Sequence, residues 1–295
     1  MKLARYLAAL CCAWLLVVTP DAVAADRGLP TGQPTDLPAG HGEPTGLPSS
    51  IAALGDSITR GFNACGFYVD CTRRSWSTGD DRSVDSHRLR LRELGVVPTG
   101  EANLARTGAR SYALPEQARR AVEVGAQYVT IEIGANDACA PTEAGMTPLA
   151  DYRRNIAAAL SILHEELPRT RVFVASIPDL WRLWAVGHGS WYARRAWDRF
   201  DICQSMLAHA GSSDAADVQR RGRVRTRTIL YNDILAAACA DYGPLCKFDD
   251  QAVFDTSFTR SQLSKWDFFH PSEKGQALLA EITWEHGFFW HPTSG

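Results

Sequence analysis

Tyr128-Val129-Thr130-Ile131-Glu132-Ile133-Gly134-Ala135-Asn136-Asp137 is a run of mostly β-branched and apolar residues that stops at a glycine and turns polar. A short apolar run bounded by a turn signal reads as a strand buried on both faces. The pattern recurs on either side of it. Residues 51–54 are Ile, Ala, Ala and Leu, ended by Gly55, and the apolar run over 171–177 is ended by Pro178. Helical stretches alternate with these runs. They fall at 114–124, at 152–167, where Ile156, Leu160 and Leu163 form a stripe, at 218–242, and at 271–286 with Pro271 in the first turn. Strands of one apolar character alternating with helices predict an α/β fold, a three-layer α/β/α sandwich around a central parallel sheet. In such sheets functional residues lie at the carboxyl ends of strands. The residues just after Leu54 and Ile133 are therefore the first place to look for chemistry.

The chain has 295 residues, 45% of them hydrophobic and 22% charged, with a formal net charge of -2. So apolar and nearly neutral a composition excludes a disordered protein. With 31 Lys+Arg against 33 Asp+Glu there is no positive surplus to neutralise phosphates, so no nucleic-acid partner is expected. Residues 1–25 stand apart. Lys2 and Arg5 precede an apolar run over 7–18, and Ala22, Val23, Ala24 and Ala25 offer the small residues of a cleavage site. The run is shorter than the roughly 20 residues of a membrane anchor. It reads as a signal peptide, and the mature protein as secreted and extracellular. Residues 26–50 are rich in Pro and Gly without an apolar face, which suits an extended linker. The folded domain is expected over 51–295.

Cysteine usage agrees with that compartment. Beyond Cys11 and Cys12 of the leader there remain Cys65, Cys71, Cys139, Cys203, Cys239 and Cys246. Six cysteines allow 15 pairings. Cys65 with Cys71 and Cys239 with Cys246 are close in sequence, which leaves Cys139 for Cys203, and these three disulfides are the expectation. The last would close a loop of about 65 residues, for which chain entropy gives roughly 4 kcal/mol. A metal site is not expected, because no C-x-x-C pair exists.

Three segments carry candidate chemistry. Gly55-Asp56-Ser57-Ile58-Thr59 comes directly after the first strand. A serine at a strand-to-helix turn exposes its hydroxyl and sets its N–H at a helix start, where negative charge is stabilised; taken alone it is an ordinary cap. The second Gly of the G-x-S-x-G elbow is replaced by Thr59. Asn136 comes after the strand at 128–133, and its amide is a neutral donor suited to an oxyanion. In Asp267-Phe268-Phe269-His270-Pro271, His270 can act as base toward a serine while Asp267 holds its other ring nitrogen. The other seven histidines read as structural or surface residues.

Together these segments resemble the SGNH, or GDSL, hydrolase family. Ser57, Asn136 and His270 with Asp267 match three of its blocks, and Gly108 in Asn103-Leu104-Ala105-Arg106-Thr107-Gly108-Ala109 is similar to the remaining one. The resemblance implies a flavodoxin-like sheet and an acyl-enzyme on Ser57, with Asp267 and His270 completing the catalytic set. It also implies an oxyanion hole made by the Ser57 N–H, the Gly108 N–H and the Asn136 amide, and no metal or organic cofactor. Arg74-Ser75-Trp76-Ser77-Thr78-Gly79-Asp80, the stretch around Gln117 and Gly134-Ala135-Asn136-Asp137-Ala138-Cys139 resemble the phospholipase B-like branch. The expected substrate is accordingly an ester, most simply a lipid acyl ester, with transient contact to a membrane or micelle surface. Deacetylation of a polysaccharide is the alternative within enzymes; a non-catalytic secreted binding module is the alternative outside them.

Two further features have a structural and a functional reading. Trp181, Trp184, Trp191 and Trp197 read as packing of an inserted helical segment tied down by Cys203, with an apolar rim for an acyl chain as the other reading. The basic run at 220–227 reads as an exposed arm with Asp214 and Asp217 as acidic neighbours.

Overall fold

The computed structural model describes residues 46–96 and 100–290; the leader and nearly all of the linker lie outside the described residues. The described residues form one parallel sheet in the order β2-β1-β3-β4-β5. Its strands are β1 (Ser50–Gly55), β2 (Gly100–Asn103), β3 (Tyr128–Glu132), β4 (Arg171–Val174) and β5 (Cys246–Phe248). The helices are α1 (His87–Glu93), α2 (Leu114–Glu123), α3 (Ala135–Ala138), α4 (Leu149–Glu166), α5 (Leu180–Gly187), α6 (Trp191–Arg199), α7 (Gln204–Leu207), α8 (Ala215–Tyr242), α9 (Ala252–Asp255) and α10 (Glu273–Glu285).

Side chains alternate across the sheet, and each face has its own cover. Tyr128 points toward α1 and α10, where the buried His87 ring bridges Tyr128 Oη at 2.9 Å and Thr283 Oγ1 at 2.8 Å. Burial, with a smaller push from Arg90, lowers the His87 pKa to about 3, so this histidine is a neutral structural bridge. On the opposite face α4 packs between α2 and α8. Tyr152 of α4 stacks on Tyr231 of α8 at 4.2 Å and donates to Ile133 O. Ala52, Val129 and Val172 on one face and Ile51, Tyr128 and Phe173 on the other, all from the three inner strands, are fully or almost fully buried, as a sheet covered on both faces requires.

The expected three-layer sandwich is therefore present, with differences at its margins. β2 and β5 escape a reading of the sequence because they are short edges: Gly-Glu-Ala-Asn and Cys-Lys-Phe are half exposed and carry no continuous apolar run. Ser50 already belongs to β1, and the Ser49 N–H donates to Gln127 Oε1 at 2.7 Å, so the end of the supposed linker is bound to the domain. The last helix starts at Glu273 rather than Pro271, because Ser272 is its cap and accepts from Gly275 N. No helix of the described residues is long and apolar enough to cross a membrane.

Candidate active site

Ser57 stands just past the end of β1, and the chain beyond it does not form the helix start expected from the sequence. Residues 57–63 form successive hydrogen-bonded turns, with Phe62 N donating to Ser57 O at 3.0 Å and Gly61 N to Ile58 O. Gly61 has φ +63, and a Cβ there would sit 2.6 Å from Cys71 O. A helix cannot pass through that conformation. Any stabilisation of negative charge here thus rests on individual N–H groups, without a helix dipole behind them. The turn is held from inside by Asp56, whose Oδ1 accepts from Ile58 N at 2.9 Å, and by Gln117 of α2, which exchanges two hydrogen bonds with the Gly55 backbone.

The loop before α10 supplies the partners. His270 Nε2 lies 2.8 Å from Ser57 Oγ, and His270 Nδ1 lies 2.6 Å from Asp267 Oδ2. Asp267 is almost fully buried yet well satisfied: Phe269 N and His270 N donate to Oδ1, and Asn63 Nδ2 donates to Oδ2 at 2.6 Å. Burial pushes its pKa up, but the hydrogen bond and charge of His270, with the Phe269 and Asn63 donors, outweigh it and hold the carboxyl below its ordinary value. A carboxylate that stays ionised against one ring nitrogen leaves the other nitrogen to accept a proton from serine. Between them Phe268 is held at φ +54, a region that a bulky residue seldom occupies. Its N–H donates to Ser264 O at 2.8 Å, and its carbonyl accepts from Trp197 Nε1 at 3.3 Å.

Asn136 joins this centre to the loop carrying Gly108. Its Nδ2 donates to Asp56 Oδ2 at 3.1 Å and to Ala109 O at 3.0 Å, the residues next to Ser57 and Gly108 respectively. Asn136 is therefore not the unengaged donor suggested by its position in the sequence. Its two hydrogens already have acceptors, and giving one to an oxyanion means releasing one of them. Against an ionised Asp56 the bond to the neutral Ala109 carbonyl is the weaker of the two. Gly108 has φ +77 with open space around its Cβ position, so backbone conformation rather than room explains the glycine. Among the described residues the Ser57 and Gly108 N–H groups have no acceptor.

Asp56 and Asn63 are missed by a reading of the sequence. Both act through hydrogen bonds to partners far along the chain, and no local pattern marks them. Asp56 is fully buried, and burial is the main reason its pKa is pushed up to about 7, with Asp137 adding to the rise and the Ile58 N–H, His270 and Asn136 opposing it. Nearby Glu132 is raised well above its ordinary value by burial and then by Asp56 and Asp249, and neither of its carboxyl oxygens has a hydrogen-bond partner. No group of three or more His, Cys, Asp or Glu side chains among the described residues could hold a metal ion.

The cysteines pair as Cys65–Cys71, Cys139–Cys203 and Cys239–Cys246. The second ties the chain just after α3, which carries Asn136, to the segment of α5, α6 and α7 inserted between β4 and α8. The tryptophans of that insertion divide. Trp197 is fully buried and Trp184 donates to Ala210 O, whereas Trp181 and Trp191 are exposed. The basic run is the expected exposed arm only in part: Arg220 pairs with Asp217 at 3.0 Å and Arg223 and Arg225 are exposed, but Arg221 is buried. Arg220 donates to Ser205 O and Ala208 O, Arg221 is buried under the Trp184 ring at 4.4 Å, Arg223 pairs with Glu143, and Arg225 pairs with Asp179. These guanidinium groups fasten α8 to the insertion and to the loop after α3, which accounts for their density.

A sequence profile described as GDSL-like Lipase/Acylhydrolase matches residues 51–283. The chain is 28% identical over 279 residues to phospholipase B1, membrane-associated, of Homo sapiens, covering 80% of this chain and 18% of that protein. It is 30% identical over 166 residues to the protein of the same name in Mus musculus, covering 44% of this chain and 11% of the relative. This chain thus matches less than a fifth of the length of those relatives. Among solved structures, a candidate GDSL-like lipase from Parabacteroides merdae superposes with a TM-score of 0.50 at 17% identity, over 83% of this chain and 97% of that one.

Proposed function

Because this chain belongs to the GDSL-like lipase/acylhydrolase family, we propose that it is a secreted serine hydrolase of carboxylic esters whose preferred substrates are lipid acyl esters. The observation that carries this reading is the continuous relay of Ser57 Oγ, His270 and Asp267 at 2.8 and 2.6 Å. Ser57 attacks the ester carbonyl while His270 takes its proton and then passes it to the leaving alcohol. Asp267 stabilises the imidazolium, and water repeats the sequence on the acyl-enzyme. The developing oxyanion is met by the Ser57 N–H, the Gly108 N–H and the Asn136 amide, the last exchanging Ala109 O for the substrate oxygen. Replacing Asn136 with Ala is expected to lower kcat by about 10²–10³ with a smaller change in KM, measured by steady-state kinetics on a p-nitrophenyl ester.

An apolar cleft adjoins this centre. Ile58, Ala135, Leu180, Leu183, Phe258 and Phe269 line it, and the first, second and last of these are the neighbours of Ser57, Asn136 and His270. It supports the placement of an acyl group there. One observation favours the second reading, deacetylation: the cleft is narrow, with about 40 Å³ of open room. Hydrolysis of p-nitrophenyl esters from acetate to palmitate, beside phosphatidylcholine, separates the two. Turnover of long chains or phospholipid, lost in Ser57→Ala, supports the lipid reading, and turnover confined to acetate replaces it with the second. Export rests on the leader over 1–25 and on the three disulfides, which persist in oxidising compartments.

A further inference from the structure

Four large aromatic side chains are left in water beside His270, and they come from three separate parts of the chain. Phe67 (53% exposed) and Tyr68 (74%) form the tip of the loop closed by Cys65 and Cys71, Phe200 (48%) ends α6, and Trp266 (40%) precedes Asp267. Their rings touch. Phe67 lies 6.1 Å from Tyr68, 6.0 Å from Phe200 and 5.8 Å from Trp266. The cluster continues inward, because Tyr68 meets Phe62 at 5.4 Å and Phe62 meets the His270 ring at 4.8 Å. A contiguous exposed apolar patch at such a place marks a contact surface, since scattered surface aromatics would not converge from three loops.

We propose that Phe67, Tyr68, Phe200 and Trp266 form the surface by which the protein docks on a phospholipid aggregate, presenting the ester bond to Ser57. This rests on the lipid reading given above and names where the aggregate is met.

Three observations favour a lipid surface over other partners. The ring planes are inclined to one another by 46°, 52° and 59°, so they make a wedge of edges and tips rather than the flat platform that stacks against sugar rings. Lys265 Nζ sits 4.8 Å over the Trp266 ring, placing an ammonium beside an amphipathic aromatic as at a membrane–water boundary, within reach of head-group phosphates. The wedge is also fixed in advance. Asn63 accepts from Tyr68 N at 2.5 Å and donates to Asp267, so one side chain fastens the aromatic loop to the partner of His270. Insertion at this point would bring lipid to the catalytic residues without first reordering the loop.

The test uses the full chain carrying Ser57→Ala, so that vesicles are not consumed, and phosphatidylcholine vesicles sedimented with it. Partitioning should fall by about tenfold or more for each of Phe67→Ser and Trp266→Ser, the effect of losing one inserted aromatic. In the Ser57 protein the same substitutions should leave kcat/KM on soluble p-nitrophenyl acetate within about twofold, which also shows that they fold. Vesicle binding that is absent in the parent, or unchanged by both substitutions, overturns the docking surface. So does binding to insoluble xylan that these substitutions abolish, since that assigns the wedge to a polysaccharide. Failure of the unsubstituted protein to hydrolyse acetate would overturn the esterase reading instead, and is seen independently of the vesicles.

Discussion

Ser57→Ala is expected to lower kcat on p-nitrophenyl esters by roughly 10⁶-fold while leaving the unfolding midpoint within a degree or two, a scale set by serine hydrolases in which nucleophile and base act as a unit. The prediction rests on geometry. The Ser57 hydroxyl is buried and hydrogen-bonded to His270, whose far side is bonded to an Asp267 held ionised by four donors. Removing the oxygen removes the covalent route, yet the donors at Ser57 N, Gly108 N and Asn136 remain. A small residual rate over water is then expected from them. His270→Ala should cost about as much, and the double variant little more than either single one. Steady-state rates of the three proteins decide the matter. A loss below about tenfold in Ser57→Ala would remove this serine from the chemistry, and full additivity would break the relay into independent parts.

Asp56→Asn is expected to change how stability depends on pH by roughly 4 kcal/mol, and to do so in the direction opposite to an ordinary salt-bridged carboxylate. Burial raises the Asp56 pKa from 3.8 to about 7. Between those two pH values the unfolded chain has lost this proton and the folded protein keeps it, so folding is favoured at low pH and weakened as pH rises. The whole shift amounts to roughly 4 kcal/mol. His87 works the other way. Its buried ring resists protonation down to about 3, so the folded state is favoured above pH 6.5 and loses ground as pH falls below it. In the parent the two slopes largely oppose each other between about pH 4 and 6.5. With Asn at position 56 the His87 slope stands unopposed, and the variant should gain on the parent from pH 4 to about pH 7 and level off above it. Urea midpoints across that range measure the gain. A difference between the two proteins that is independent of pH would show that Asp56 does not carry its proton into the folded state.

The parts of the fold legible in the sequence are those whose physics is local. A strand buried on both faces must be apolar throughout, so β1, β3 and β4 announce themselves at Leu54, Ile131 and Val174. Edge strands are under no such demand, and Lys247 in β5 or Glu101 in β2 hides them. The same division runs through the site. Ser57, Asn136 and the pair Asp267 and His270 stand out in the sequence because each sits at a strand end or at a fixed short spacing. The helix expected after Ser57 fails because Gly61 and Asn63, at φ +63 and +61, bend the chain into turns that alternation alone does not reveal. Asn63 and Asp56 stay hidden, since the partners that give them meaning, Asp267 and Asn136, are 204 and 80 residues away. Arg221 shows the reverse case. A basic run invites a reading of surface charge, but its stem and guanidinium lie under Trp184.

The hydrogen bond from Ser57 to His270 spans 213 residues, and that separation has a kinetic meaning. Contacts so remote close large loops of unfolded chain, and topologies rich in them fold slowly. The turn Asp56 to Ile58 closes within three residues and can form as soon as β1 docks. Its base arrives only when the loop after β5 settles against Asn63 and Trp197. A chain caught midway therefore displays a serine with nothing to deprotonate it. On the proposed function, hydrolytic power is expected to be a late product of folding, and on dilution from denaturant helical ellipticity should return ahead of the capacity to cleave esters.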